Sequence, residues 1–353
     1  MTLAEVLLAV TWVGVTAYAL LGGADFGGGF WDLLAGGTRR GRPQRELIEH
    51  SIGPVWEANH VWLVFVLVVL WTAFPRVFAA VASTLVVPLT LAAVGIIARG
   101  AAFAFRKAVA EVATKRLFGA AFALSSVLTP FFLGTVAGAV ASGRVPPGNA
   151  RGDLVASWWN PTSVLGGVLA VGVCAWLAAA YLTADAARAG EPALAEEFRR
   201  RGLLTGAVVG AVALAGIGVL RADAPALFEG LTGRALTLVA ASALGGVALL
   251  WLLWARRFLA VRVTAALAVA AIVWGWAAGQ YPWMLQGQLT IAQAAAGRPV
   301  LGAVLASLLV GALLFLPPLA WLLVLFQRAQ APGADQGRPA SGRRPRGAVP
   351  PGR

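Results

Sequence analysis

Nine long apolar runs, at 3–24, 55–73, 77–98, 117–140, 160–182, 202–220, 235–254, 259–279 and 301–326, leave this chain one physical option. Each approaches the roughly 20 helical residues that cross a hydrocarbon core of about 30 Å. Each is continuously apolar rather than alternating, which argues against the strands of a membrane barrel. Backbone polar groups find no water in lipid, so a spanning segment of this kind must bond to itself as a helix. Composition agrees: 59% of the 353 residues are hydrophobic and only 12% charged, far from the balance of a water-soluble domain. The expected fold is an all-α integral membrane protein with about nine transmembrane helices.

Orientation follows from the basic residues, because Lys and Arg in short connections mark the cytoplasmic side. Most of the 28 lie after the odd-numbered runs. Arg39, Arg40, Arg42 and Arg45 follow the first; Arg99, Arg106, Lys107, Lys115 and Arg116 the third; Arg188 and Arg199 to Arg201 the fifth; Arg256, Arg257 and Arg262 the seventh. This bias predicts an outside N-terminus and an inside C-terminus. The net charge of +13 does not point to nucleic acid, since the basic residues flank spans and build no aromatic-interleaved groove; anionic lipid headgroups suit them better. The first run carries Glu5 instead of a basic start and flows into Asp25 without a cleavage site, so it is expected to be retained. Residues 1–328 read as one polytopic domain. The Pro/Gly/Arg-rich stretch 329–353 reads as a disordered cytoplasmic tail.

Chemistry is concentrated in two places. Gly53-Pro54-Val55-Trp56-Glu57-Ala58-Asn59-His60-Val61-Trp62 sets a carboxylate, an amide and an imidazole at the start of an apolar run. Ionisable groups in a membrane are costly, and the default reading of one is a proton or ion path. Pro54 suits a first helical turn, which would put Glu57 near a helix N-terminus. Leu21-Gly22-Gly23-Ala24-Asp25-Phe26-Gly27-Gly28-Gly29 ends the first run, and its glycines let a neighbouring helix come close. If the first helix runs inward and the second begins inside, Asp25 and Glu57 share the cytoplasmic boundary. Asp25, Glu57, Asn59 and His60 are then the candidate proton path. The bland readings stay open: a solvated Asp25, a dipole-pairing Glu57, a core His60. Trp56 and Trp62 are candidates for a subunit interface or an oxygen route, with ordinary packing as the alternative. His50 falls in the basic loop.

Cys174 is the single cysteine, so neither a disulfide framework nor a CxxCH haem attachment is available. Two histidines and one internal methionine, Met284, equip the chain poorly to ligate several haems.

With Phe74-Pro75, Gln280-Tyr281-Pro282-Trp283 and Leu289-Thr290-Ile291-Ala292-Gln293, the two motifs resemble subunit II of the cytochrome bd-type quinol oxidases, including the cyanide-insensitive branch. The resemblance covers about residues 3 to 328, by motif at both ends and by helix count and hydropathy from about 145 to 260. It implies two four-helix bundles plus a peripheral helix in a bacterial cytoplasmic (inner) membrane. It also implies a partner, subunit I, holding haems b558, b595 and d and the quinol site, with no cofactor in this chain. Together the subunits would oxidise quinol and reduce dioxygen to water without pumping protons. Subunit II would add part of a cytoplasmic proton path and, in some members, an oxygen route. A small accessory subunit and the kind of quinol are left open. Many members carry Asp and Gln where this chain has Glu57 and His60. A purely structural scaffold for subunit I is the main rival. A proton-coupled secondary transporter is a weaker one, because no repeated halves are visible.

Overall fold

The computed structural model describes residues 1–37, 41–106 and 112–329, with side chains throughout these stretches except at 52–58, 103, 106, 112–117, 315–316, 319–320 and 322–329. Arg39, Arg40, Lys107 and the tail from 330 lie outside the described residues.

Twelve helices follow one another among the described residues. In order they are α1 (Leu3–Leu34), α2 (Arg42–Ala73), α3 (Pro75–Thr84), α4 (Val86–Arg106), α5 (Val112–Ala141), α6 (Pro161–Arg188), α7 (Pro192–Asp223), α8 (Pro225–Thr232), α9 (Leu236–Trp254), α10 (Val261–Gln280), α11 (Ile291–Ala294) and α12 (Arg298–Ala329). Between α10 and α11, β1 (Trp283–Leu285) and β2 (Leu289–Thr290) form a two-stranded antiparallel hairpin. The starts are written in the sequence. Thr2 with Glu5 and Thr290 with Gln293 make capping boxes, Asn160 caps α6 through Ser163 N, and proline opens α3, α6, α7 and α8. In the connection before α6, Asp153 accepts from the backbone amides of Ala156 and Val155, which holds its carboxyl below the usual range.

All nine apolar runs fall on helices, but the spans differ from nine uniform ones. Among the described residues, six helices are long and apolar enough to cross a membrane: α1, α5 from Phe118, α6, α7, α9 and α10. A seventh arises if α2 from Asn59 and α3, bent by 117°, count together, and Val86–Ala102 and Arg298–Leu314 are shorter apolar stretches. The run 77–98 is therefore not one span. Pro75 pushes Phe74 out of the helical region, to φ −132° and ψ 56°, and ends α2. A second break at Leu85 starts α4 in its place. Two further boundaries need correcting. Helix α1 runs on to Leu34, so the glycines around Asp25 lie inside it, and α2 begins at Arg42, so Pro54 and Glu57 lie well within a helix instead of at its start. Hydropathy misses both extensions because two aspartates and three glycines interrupt the first and polar residues dominate the second.

Up to Leu301 the chain forms one compact unit. Within it α1 packs on α2, α5 and α6, α4 on α5, and α6 on α7, while α9 and α10 pair and close against α6 and α7. One core gathers Trp176, Leu177, Leu249, Leu253 and Val261 from α6, α9 and α10. Another joins Trp31, Ile48, Ala178 and Phe198 from α1, α2, α6 and α7, with Trp31 Nε1 donating to the Ala175 carbonyl at 2.8 Å. Residues from Gly302 belong to a second unit, where α12 exposes Leu309, Leu313 and Leu314.

Candidate functional site: a buried ion pair shared by four helices

Asp25 is 0% exposed, and the sequence alone does not reveal its partner. That partner is Arg99, also 0% exposed, which lies on α4 and not in a cytoplasmic loop where its charge would put it. The guanidinium reaches Asp25 Oδ1 at 2.5 Å and Oδ2 at 3.3 Å, and Nη2 also donates to the Asp25 backbone oxygen at 2.7 Å. Its Nη1 donates to Ser126 Oγ on α5, and that hydroxyl donates onward to the Phe122 carbonyl at 2.5 Å. The Phe122 ring lies 4.0 Å from the guanidinium carbon and the Phe26 ring 5.2 Å, so two aromatic faces cover the cation. From α2, Asn59 Nδ2 donates to Asp25 Oδ2 at 2.9 Å, while the buried Asn59 Oδ1 has no partner among the described residues.

The glycine motif explains how this fits. A Cβ on Gly29 would overlap Ser126 Oγ and come within 2.6 Å of Arg99 Nη1, so the guanidinium occupies the space a side chain would take. A Cβ on Gly27 would overlap the Cys174 carbonyl oxygen, so that glycine lets α6 lie directly on α1. Burying two charges is costly unless the pair is well bonded, and here carboxylate and guanidinium each have several partners. Among bland readings, a solvated Asp25 is therefore ruled out.

Of the other candidates, His60 follows Asn59 on α2, is partly buried and takes part in contacts. Trp62 meets Phe65 edge-on at 6.0 Å within the same helix, and Phe65 packs where a Cβ on Gly14 would stand. Val61, Val64, Val68 and Trp71 form an exposed apolar stripe on α2. The side chains of Trp56 and Glu57 lie outside the described residues; the Glu57 backbone sits in α2 two positions before Asn59. Structure thus brings Asn59 to Asp25 and adds Arg99 and Ser126. Arg99 was hidden by its position at the edge of an apolar run, although a lone arginine seven residues before Arg106 was a visible signal.

Further polar ties brace the ends of the bundle. Arg45 bonds Asp32 at 2.9 Å, Gln44 bonds Glu197 at 2.7 Å, and Arg201 bonds Glu197 at 2.8 Å. At the other end of α7, Asp223 accepts from both terminal nitrogens of Arg144 and from the amide and hydroxyl of Thr162. Among the described residues no group of three or more His, Cys, Asp and Glu assembles that could hold a metal.

Six helices long and apolar enough to cross a membrane, among the described residues, together with a fully buried ion pair between α1 and α4, define a multi-pass integral membrane protein. The sequence profile of cytochrome bd terminal oxidase subunit II matches residues 3–326, and the chain belongs to that family. It is accordingly a multi-pass protein of the bacterial cytoplasmic membrane. It is 30% identical over 172 residues to cytochrome bd ubiquinol oxidase subunit 2 of Bacillus subtilis, covering 48% of each chain. Over 189 residues it is 29% identical to cytochrome bd-I ubiquinol oxidase subunit 2 of Escherichia coli K12, covering 50% of this chain and 48% of that one. The matched segment thus spans about half the length of these curated relatives. A chain in the structure of bd oxidase from Geobacillus thermodenitrificans superposes with a TM-score of 0.69 at 26% identity, covering 92% of this chain and 99% of that chain.

Proposed function

We propose that this chain works as the non-haem subunit of a bd-type quinol oxidase, pairing with a subunit I that carries haems b558, b595 and d, oxidises quinol and reduces dioxygen to water. The complex is electrogenic by separating its proton-releasing and proton-consuming sites and does not pump. Within it, this subunit supplies part of the cytoplasmic proton path, with Glu57 as the exchanging group and Asn59 and His60 beside it. Asp25 is bonded by Arg99 and Asn59 on both oxygens, so it serves better as a fixed counter-charge than as a carrier. Trp56, Trp62 and the bare stripe of α2 are assigned to the face toward subunit I or to an oxygen route. Membrane lipid surrounds the assembly. The observation that supports this reading most is the buried Asn59–Asp25–Arg99 cluster, polar groups held inside the bundle with Asn59 two residues along α2 from Glu57.

The closed ion pair also favours a second reading, a scaffold that only holds subunit I. Glu57→Gln separates the two, since it keeps shape and hydrogen bonding but removes the exchangeable proton. On the proton-path reading, quinol-driven oxygen consumption per haem d falls while haem content stays intact, and Glu57→Asp retains part of it. Normal turnover of Glu57→Gln at every pH leaves the scaffold.

A further inference from the structure

Three arginines converge on one carboxylate where α6 ends, α7 begins and the α9–α10 connection passes. Glu196 accepts from Arg199 at 2.7 Å, Arg200 at 3.1 Å and Arg256 at 3.3 Å. One negative charge cannot neutralise three positive ones. The side chains of Arg200 and Arg256 are 76% and 65% exposed, so the surplus faces outward. They border a cavity of about 510 Å³ whose other walls include Glu196 itself, Ala187, Ala195 and Phe258. It combines a cationic rim with an apolar wall.

Arg256 has φ +57° and closes α9 through its amide bond to Leu253 O, so its side chain leaves from the turn between α9 and α10. Nearby residues suit a membrane boundary. Leu259 is 99% exposed, Trp254 is exposed, and Arg257 lies over the Trp251 ring at 5.6 Å. Indole rings of this kind sit at headgroup level.

We propose that this cavity binds the phosphodiester headgroup of an anionic membrane phospholipid, with Arg200 and Arg256 on the phosphate and the glycerol and upper acyl chains along Phe258, Leu259 and Trp254. A phosphate accepts guanidinium donors on several oxygens, and the apolar wall selects a lipid over a free anion. The site is independent of the oxidase reading.

The test uses the membrane-extracted assembly containing this chain, reconstituted in nanodiscs of phosphatidylcholine with a minor fraction of phosphatidylglycerol, with retained lipid counted by native mass spectrometry. Arg200→Gln with Arg256→Gln should weaken phosphatidylglycerol retention about 25-fold, roughly fivefold per basic side chain at a charged surface, and weaken phosphatidylcholine retention less, because the choline cation already offsets its phosphate. Arg42→Gln, an exposed arginine paired with Glu46 elsewhere, should change nothing. Excess inorganic phosphate should fail to displace the lipid. The proposal is overturned if the double variant retains phosphatidylglycerol like the parent, if Arg42→Gln loses as much, or if inorganic phosphate competes it away.

Discussion

Replacing Asp25 by Asn removes one unit of charge from a position where neither partner sees water. Arg99 then keeps its cation between two aromatic rings with Ser126 and an amide for company. Breaking one side of a buried pair costs about 3–5 kcal/mol, because the remaining charge stays desolvated and uncompensated. For a chain this size that corresponds to a fall on the order of 10 °C in the unfolding midpoint. Arg99→Gln should cost a similar amount by stranding Asp25. The double variant is the informative one. With both charges gone, two amides remain that can bond each other and Ser126, so its loss should undercut the sum of the single losses by about 2 kcal/mol or more. Thermal unfolding of the detergent-solubilised assembly, followed by tryptophan fluorescence, measures all three. If Asp25→Asn shifts the midpoint by no more than a degree, or if the double variant is additive, the pair is not the coupled, desolvated unit described above.

The close approach at Gly29 predicts that Gly29→Ala destabilises the assembly, since the new methyl meets Ser126 Oγ and the Arg99 guanidinium. Gly37→Ala, with open space around it, should stay within about 0.5 kcal/mol of the parent in the same unfolding assay. Trp62→Asp places an unpaired charge among apolar residues of α2 at a cost of several kcal/mol, and should lower the yield of co-purifying subunit I; undiminished yield would turn this face toward lipid. Expressed alone, the chain should bind no haem in stoichiometric amount, and an optical spectrum of the purified chain showing all three haem types would contradict the proposed division of labour.

The fold was legible where free energy is dominated by apolar surface. Long runs such as 160–182 and 202–220 mark helices by length alone. Legibility failed where polar residues continue a helix. Arg42 to Pro54 looks like loop on a hydropathy scale and Asp25 to Leu34 is interrupted by two aspartates and three glycines, yet both remain helical, with Asp25 paired to Arg99 and Asp32 to Arg45. Such pairing is tertiary and leaves no trace in a one-residue scale. The Phe74-Pro75 break was written in the sequence, but as a local restriction on φ and ψ its consequence, a 117° bend, shows only in the assembled chain. The same limit applies to the site. Glycines around Asp25 announced a close neighbour, but whether it would be backbone or a buried cation could not be read from them.

Charge balance at the site separates its two acids. Arginines from the first, fifth and seventh connections meet at one end of the bundle, through Arg45 with Asp32, Arg201 with Gln44 and Arg262 with Asp185. Asp25 lies seven residues from Asp32 along α1, about 10 Å deeper at 1.5 Å per residue. The Asp25–Arg99 pair has no net charge. Glu57→Gln leaves that centre neutral and Asp25→Asn makes it cationic. The two substitutions remove the same kind of group, yet they should fail differently: Asp25→Asn through lost assembly and haem content, and Glu57→Gln through slower oxygen reduction in a fully assembled complex. Haem d content and turnover measured side by side on both variants decide this. Equal loss of assembly in both would make Glu57 a second structural charge and remove it from the proton path.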